Sequence, residues 1–156
     1  MRRKDREITE REQIVQILDK SRIVHLALFN EKYPYVLPMN FGYEFQGDTL
    51  ILYVHGATEG HKWDLLRRDP HVAFALECDL VPVSGGDIPC KYGEKYASVM
   101  GCGIGELLAA GQEKNHALEV LMKHQTGREF SITAEMCENV SVMKLVAESY
   151  SAKRKA

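Results

Sequence analysis

The chain has little that would mark a metal, nucleic-acid or membrane protein. Its four cysteines, Cys78, Cys90, Cys102 and Cys137, form no C-x-x-C pair, so a zinc ribbon and a dithiol redox motif are both unsupported. They are expected to be free, buried thiols, with Cys102 packed in the core, because nothing suggests the oxidising compartment a disulfide needs. A net charge of −2 and a pI near 6.3 argue against nucleic acid as the main partner. The short basic end Lys153-Arg-Lys155 reads as a frayed, solvated tail. No apolar run approaches the length that spans a bilayer, and the basic beginning Arg2-Arg-Lys has no apolar segment behind it, so cytoplasm is the simplest location.

What is present fits one domain: 156 residues of ordinary apolar and charged content are enough for one sizeable core. Thr9-Glu-Arg-Glu12 has the form of a capping box, and Ile14, Val15, Ile17 and Leu18 continue it as a helix to about Lys20. Ile23 to Phe29 is dense in strand formers, and Asn30 to Pro34 supplies a turn. His25, inside that apolar run, reads as a satisfied core histidine.

From Tyr35 to Phe45 the large residues Tyr35, Leu37, Met39, Phe41, Tyr43 and Phe45 alternate onto one face, which is the expected core face. Pro38 cannot donate to a ladder, so this strand is expected at an edge or bulged there, and Gly42 leaves a bare patch. Gln46-Gly-Asp48 makes a hairpin turn. Thr49 to His55 then pairs back on Met39 to Phe45, which brings 38–40 toward 55–57.

The segment Tyr53 to Pro70 runs from strand through turn to helix. Gly56 and Gly60 bracket the turn, Trp63, Leu65 and Leu66 recur at helical spacing, and Asp69-Pro70 stops the helix. A helix start leaves amides without acceptors and carries partial positive charge, and Lys62 adds a full one, so this corner suits an anion. An ordinary connection with a solvated lysine has the same pattern.

His71 to Cys78 reads as a further strand, and Val81 to Lys95 as a long loop. Tyr96 to Leu108 alternates with Gly101, Gly103 and Gly105 on one face, as sharp barrel curvature or close packing of a backbone or ring would require. Gln112 to His124 is an amphipathic helix ended by Gly127, with His116 and His124 expected in solvent. Ile132 to Glu138 reads as a short helix and Val140 to Glu148 as the last strand. Hairpins with bent, glycine-rich strands and few helices make the chain mainly β (α+β), an antiparallel β-barrel with flanking helices, small and either closed or split.

Four stretches, in this order, carry a resemblance to a known family: Tyr33 to Tyr43 with its Leu-Pro-Met-Asn, Leu52 to Ala57 followed by Gly60-His-Lys62, Asp69-Pro-His-Val72, and Tyr96 to Gly103. Together they resemble the FMN-binding split barrels of the pyridoxamine 5′-phosphate oxidase superfamily, in particular its nitroimidazole-resistance (Nim-like) group. The resemblance implies the split form, an antiparallel split β-barrel with flanking helices, as a homodimer with FMN at the subunit interface and a small organic substrate, nitroaromatic or pyridoxamine-phosphate-like. It implies that Val36, Leu37, Pro38, Met39 and Asn40 line the ring and that Ala57, Gly60, His61 and Lys62 hold the phosphate. Tyr53, Gly56 and Ser98 complete the implied cofactor set, and His55 would lie by the ring as the catalytic candidate. No metal ligand set is implied. Three readings stay beside flavin-dependent oxidoreduction: a flavin-nucleotide carrier or sensor, a deazaflavin protein, and a haem protein using His25, His55 or His61.

Overall fold

A computed structural model describes residues 3–156. In chain order the elements are β1 (Glu7–Ile8), α1 (Arg11–Lys20), β2 (Ile23–Leu28), β3 (Tyr35–Gln46), β4 (Thr49–Gly56), α2 (His61–Arg68), β5 (His71–Val83), β6 (Gly93–Leu107), α3 (Gln112–Thr126) and β7 (Ser141–Lys155). The strands follow the order β1-β7-β4-β3-β2-β5-β6, and β6 returns to β7. Six strands thus close an antiparallel barrel, with β1 as a short appendage to β7. The expected mainly-β split barrel is the observed fold.

Alternation decides which side chains fill it. Val24, Leu26 and Leu28 of β2, Leu50, Leu52 and Val54 of β4, and Val72, Phe74 and Leu76 of β5 are buried in one interior cluster, as period-two strands around a closed core require. Helix α1 contributes Ile14, Ile17 and Leu18 to that cluster, and α2 contributes Trp63, Leu65 and Leu66. Helix α3 lies outside the barrel, where Ala117 and Leu118 cover Ile51, Tyr53 and Val142.

Several expectations are corrected. Helix α1 is real, but its N-cap is Glu10 and no side chain caps it, so Thr9 and Glu12 do not form a box. The loop from Val81 to Lys95 is largely a hairpin arm: Val81 pairs with Lys95 and Val83 with Gly93, beyond a bulge where Asp79 takes φ 56°. The bulge lets β5 continue past the barrel wall, and alternation broken by one inserted residue does not read as a strand. The basic end is not frayed, because β7 runs to Lys155 and pairs with both β1 and β6. Cys78 and Cys137 are buried, but Cys90 and Cys102 are exposed, and all four are free. The 132–138 segment forms only a 3-10 turn at Glu135–Cys137.

The glycines answer to packing. At Gly42 a Cβ would fall into the backbone of Leu121 in α3, so the absent side chain seats a helix rather than baring a patch for a ligand. Gly101 and Gly103 meet the β7 backbone, and Gly105 meets Leu66, Met143 and Val72. Together with the register shift between Cys102 and Gly103, they let β6 curve tightly onto β7.

Candidate functional site

The barrel splits between β3 and β4. Residues 41–46 of β3 pair with β4, the last pair being Phe41 with Val54, while residues 35–40 pair only with β2. His55 and Gly56 leave β3 and pair instead with Val142 and Ser141 of β7. A row of β3 backbone groups, interrupted at Pro38, therefore faces a notch, so the edge expected from that proline is present. Its far wall is the end of β4 and the start of α2.

The turn between β4 and α2 is held firmly. Trp63 is buried, and its Nε1 donates to Ala57 O at 2.6 Å. Ser141 Oγ donates to Thr58 O at 3.3 Å. Gly60, at φ 144°, caps α2 with its carbonyl, which accepts from Trp63 N at 2.9 Å and Asp64 N at 3.4 Å. That φ is open to glycine and strained for other residues. The amides of His61 and Lys62 in the first turn have no intrahelical acceptor.

Lys62 folds back over the turn. A Cβ on Gly56 would lie 3.0 Å from its Nζ and 2.9 Å from its Cε, and the ammonium sits 4.7 Å from the Trp63 ring centroid. No carboxylate pairs with it among the described residues. His55 is half-buried beside it, and burial first, then the Lys62 charge, depress the imidazole below its ordinary range. The neutral ring is thus favoured at pH 7. Its Nδ1 is buried without a hydrogen-bond partner, and such an atom calls for an unseen partner. Across the notch Tyr35 meets the His61 ring edge-on, with centroids 5.1 Å apart.

Five predicted residues thus share one corner: His55, Gly56, Ala57, Gly60 and Lys62. His61 meets the β3 edge there through Tyr35, and Val36 to Asn40 form that edge. Two others stand apart. Tyr53 is buried under α3, where its hydroxyl donates to Glu44 at 2.7 Å. Ser98 pairs with Glu77 of β5 and Lys153 of β7, three strands and roughly 14 Å from Asn40 at ordinary strand spacing.

The remaining histidines correct the sequence reading. His25 is not a core residue: it reaches the outer barrel face, 3.8 Å from Glu77. His124 is not free in solvent, since its Nε2 donates to Ser21 O at 2.9 Å and its ring packs on Phe41 and Tyr43. His116 is exposed as expected but bonds Glu44 at 2.9 Å.

Sequence reasoning missed the outer face of β3, β2, β5 and β6. It carries two shallow hollows of about 560 and 610 Å³, which share Ala27, Ala73 and Cys102; the first also reaches Val36 and Met100. Val36 is 62% exposed and Met100 48%. The signal was the run of small residues Ala73 and Ala75 alternating with buried Val72, Phe74 and Leu76. No helix among the described residues is long and apolar enough to cross a membrane, and none of their His, Cys, Asp and Glu side chains cluster as a metal site.

A split barrel whose open seam ends at a lysine-bearing helix start defines the class of protein. The sequence profile of the pyridoxamine 5′-phosphate oxidase family matches residues 10–154, and the chain belongs to that family. It is similar to a crystal structure described as a candidate 5-nitroimidazole antibiotic resistance protein from Bacteroides thetaiotaomicron, with 30% identity over 95% of this chain and 86% of that one, at a TM-score of 0.77. Its fold also matches the flavocytochrome Anf3 of Azotobacter vinelandii, at 21% identity over 100% and 72% of the two chains and a TM-score of 0.77. A FAD and heme binding protein of Mycobacterium smegmatis matches at 22% identity over 96% and 73%, with a TM-score of 0.76. No curated protein matches the chain.

Proposed function

We propose that this chain binds FMN in the notch and acts as a flavin-dependent oxidoreductase on a small organic molecule. The observation that carries the reading is the corner at 55–62. An ammonium and a buried imidazole nitrogen that both lack partners among the described residues, with two helix-start amides that have no intrahelical acceptor, converge beside an open strand edge. The ammonium and the amides suit a phosphate. The exposed β3 backbone suits the polar rim of a flat ring, and a neutral His55 can donate to that ring or to a substrate. A bound flavin supplies reversible hydride chemistry. This chain's share is to bind and orient it, so few further acid–base groups are needed.

The notch is open on one side, and the apolar outer face beside it is large enough to be covered. We read that face as the contact of a homodimer in which the second copy closes the notch, with Ser98 approaching the partner's cofactor. Four unpaired cysteines fit a reducing compartment, and we place the protein in the cytoplasm.

The test is the absorption spectrum of freshly purified protein, with mass identification of whatever denaturation releases. FMN at close to one per chain is expected. Release of haem alone, or of nothing after incubation with excess FMN, overturns the reading. Flavin that is reduced by dithionite and reoxidised by no organic acceptor leaves a carrier and removes the enzyme.

A further inference from the structure

The end of α3 is stitched to the β3 edge by a chain of hydrogen bonds between side-chain amides and carbonyls whose direction is fixed. Gln125 Nε2 lies 2.7 Å from Phe41 O and 3.1 Å from Arg22 O. A carbonyl can only accept, so this end of Gln125 is the amino end and both its hydrogens are used. The other end, Oε1, must then accept, and it faces Asn40 Nδ2 at 3.2 Å. Asn40 Nδ2 also donates to Arg22 O at 3.3 Å, which uses its second hydrogen.

Asn40 is therefore left with one free group, the acceptor Oδ1, which has no protein donor among the described residues. It is exposed on the open half of β3. Gln125 itself has little freedom. Arg22 Nη1 donates to the carbonyls of His124 and Gln125, at 2.5 and 3.1 Å, and Leu121 seats the same helix over Gly42.

Resting on the flavin reading, we propose that Gln125 is a positioning residue that makes Asn40 an acceptor-only contact for the imide N–H of the flavin pyrimidine edge. That N–H is the donor of the oxidised ring, flanked by two carbonyls, so an acceptor here selects planar heterocycles bearing an imide or lactam N–H. With Asn40 turned the other way, the same position would favour ring carbonyls instead.

The test titrates protein freed of its cofactor with FMN and with N3-methyl-FMN, followed by fluorescence quenching. Wild type is expected to prefer FMN by about tenfold or more, the discrimination that a lost hydrogen bond produces. Asn40→Ala removes the acceptor and is expected to bring the ratio close to one. Gln125→Leu frees the Asn40 amide to turn and is expected to lower the ratio by weakening FMN far more than the methylated analogue. A merely structural role of Gln125 weakens both ligands equally and leaves the ratio unchanged, which overturns the proposal even if Gln125→Leu folds poorly. A wild-type ratio near one, or a ratio untouched by Asn40→Ala, overturns it as well while leaving FMN binding intact. Failure of wild type to bind either ligand overturns the flavin reading itself.

Discussion

The Lys62 ammonium occupies the space that a side chain on residue 56 would take, 3.0 Å from the position of a Gly56 Cβ. The glycine is what lets the cation lie over the helix start. Lys62→Ala is expected to weaken FMN by about 1.5–3 kcal/mol, the range for a hydrogen bond to a charged group. Equilibrium titration at low salt reads it, and unchanged affinity removes Lys62 from the phosphate site. The same variant removes a charge that depresses His55, so the His55 pKa followed by NMR is expected to rise.

Gly42→Ala is expected to be costly although the residue lies on no ligand. Its Cβ would enter the Leu121 backbone, which cannot swing aside as a side-chain end can. Overpacking of this kind costs roughly 1–3 kcal/mol, which for a chain of this size is a fall in Tm of about 3–10 °C. A thermal melt unchanged within a degree would mean that α3 is not seated there.

Stability is expected to fall in mild acid. Burial is the main cause holding His124 below its ordinary range, with the Arg22 charge adding to it. Its folded pKa is thus below the unfolded value of about 6.5, and the unfolded chain takes up more protons between the two. Stability is full above about pH 6.5 and is lost as pH falls through the lowered folded pKa. His55 acts in the same sense, so His124→Gln should flatten the slope of urea stability against pH without abolishing it.

Ala73→Glu tests the outer face. Ala73 is exposed, and it borders both hollows, so the variant should fold as wild type does. A charge buried in a dimer contact is costly, and light scattering should show a shift from dimer toward monomer with loss of bound flavin. A variant that stays dimeric and yellow would locate the contact elsewhere.

The strands of the barrel and its three α-helices were legible because burial imposes a period. Val24, Leu26 and Leu28, or Val72, Phe74 and Leu76, announce one buried face each, and Gly47 and Gly127 punctuate where φ is positive. The anion corner was legible for the same local reason, since Gly60, Lys62 and the α2 start are neighbours in sequence. The arm at Val81 to Lys95 was not, because one bulged residue at Asp79 breaks the alternation. The basic end was not, because Lys153 and Lys155 become strand only by finding β1 and β6.

The sequence by itself determined a mainly β chain of antiparallel hairpins and a cationic turn, since both follow from patterns a few residues long. Only the tertiary structure decided what surrounds that turn. The parting of β3 from β4 after Phe41, the packing of α3 against Gly42 and the meeting of Gln125 with Asn40, 85 residues away, depend on long-range closure. Such closure is set by which faces find partners across the whole barrel, and no local pattern encodes it.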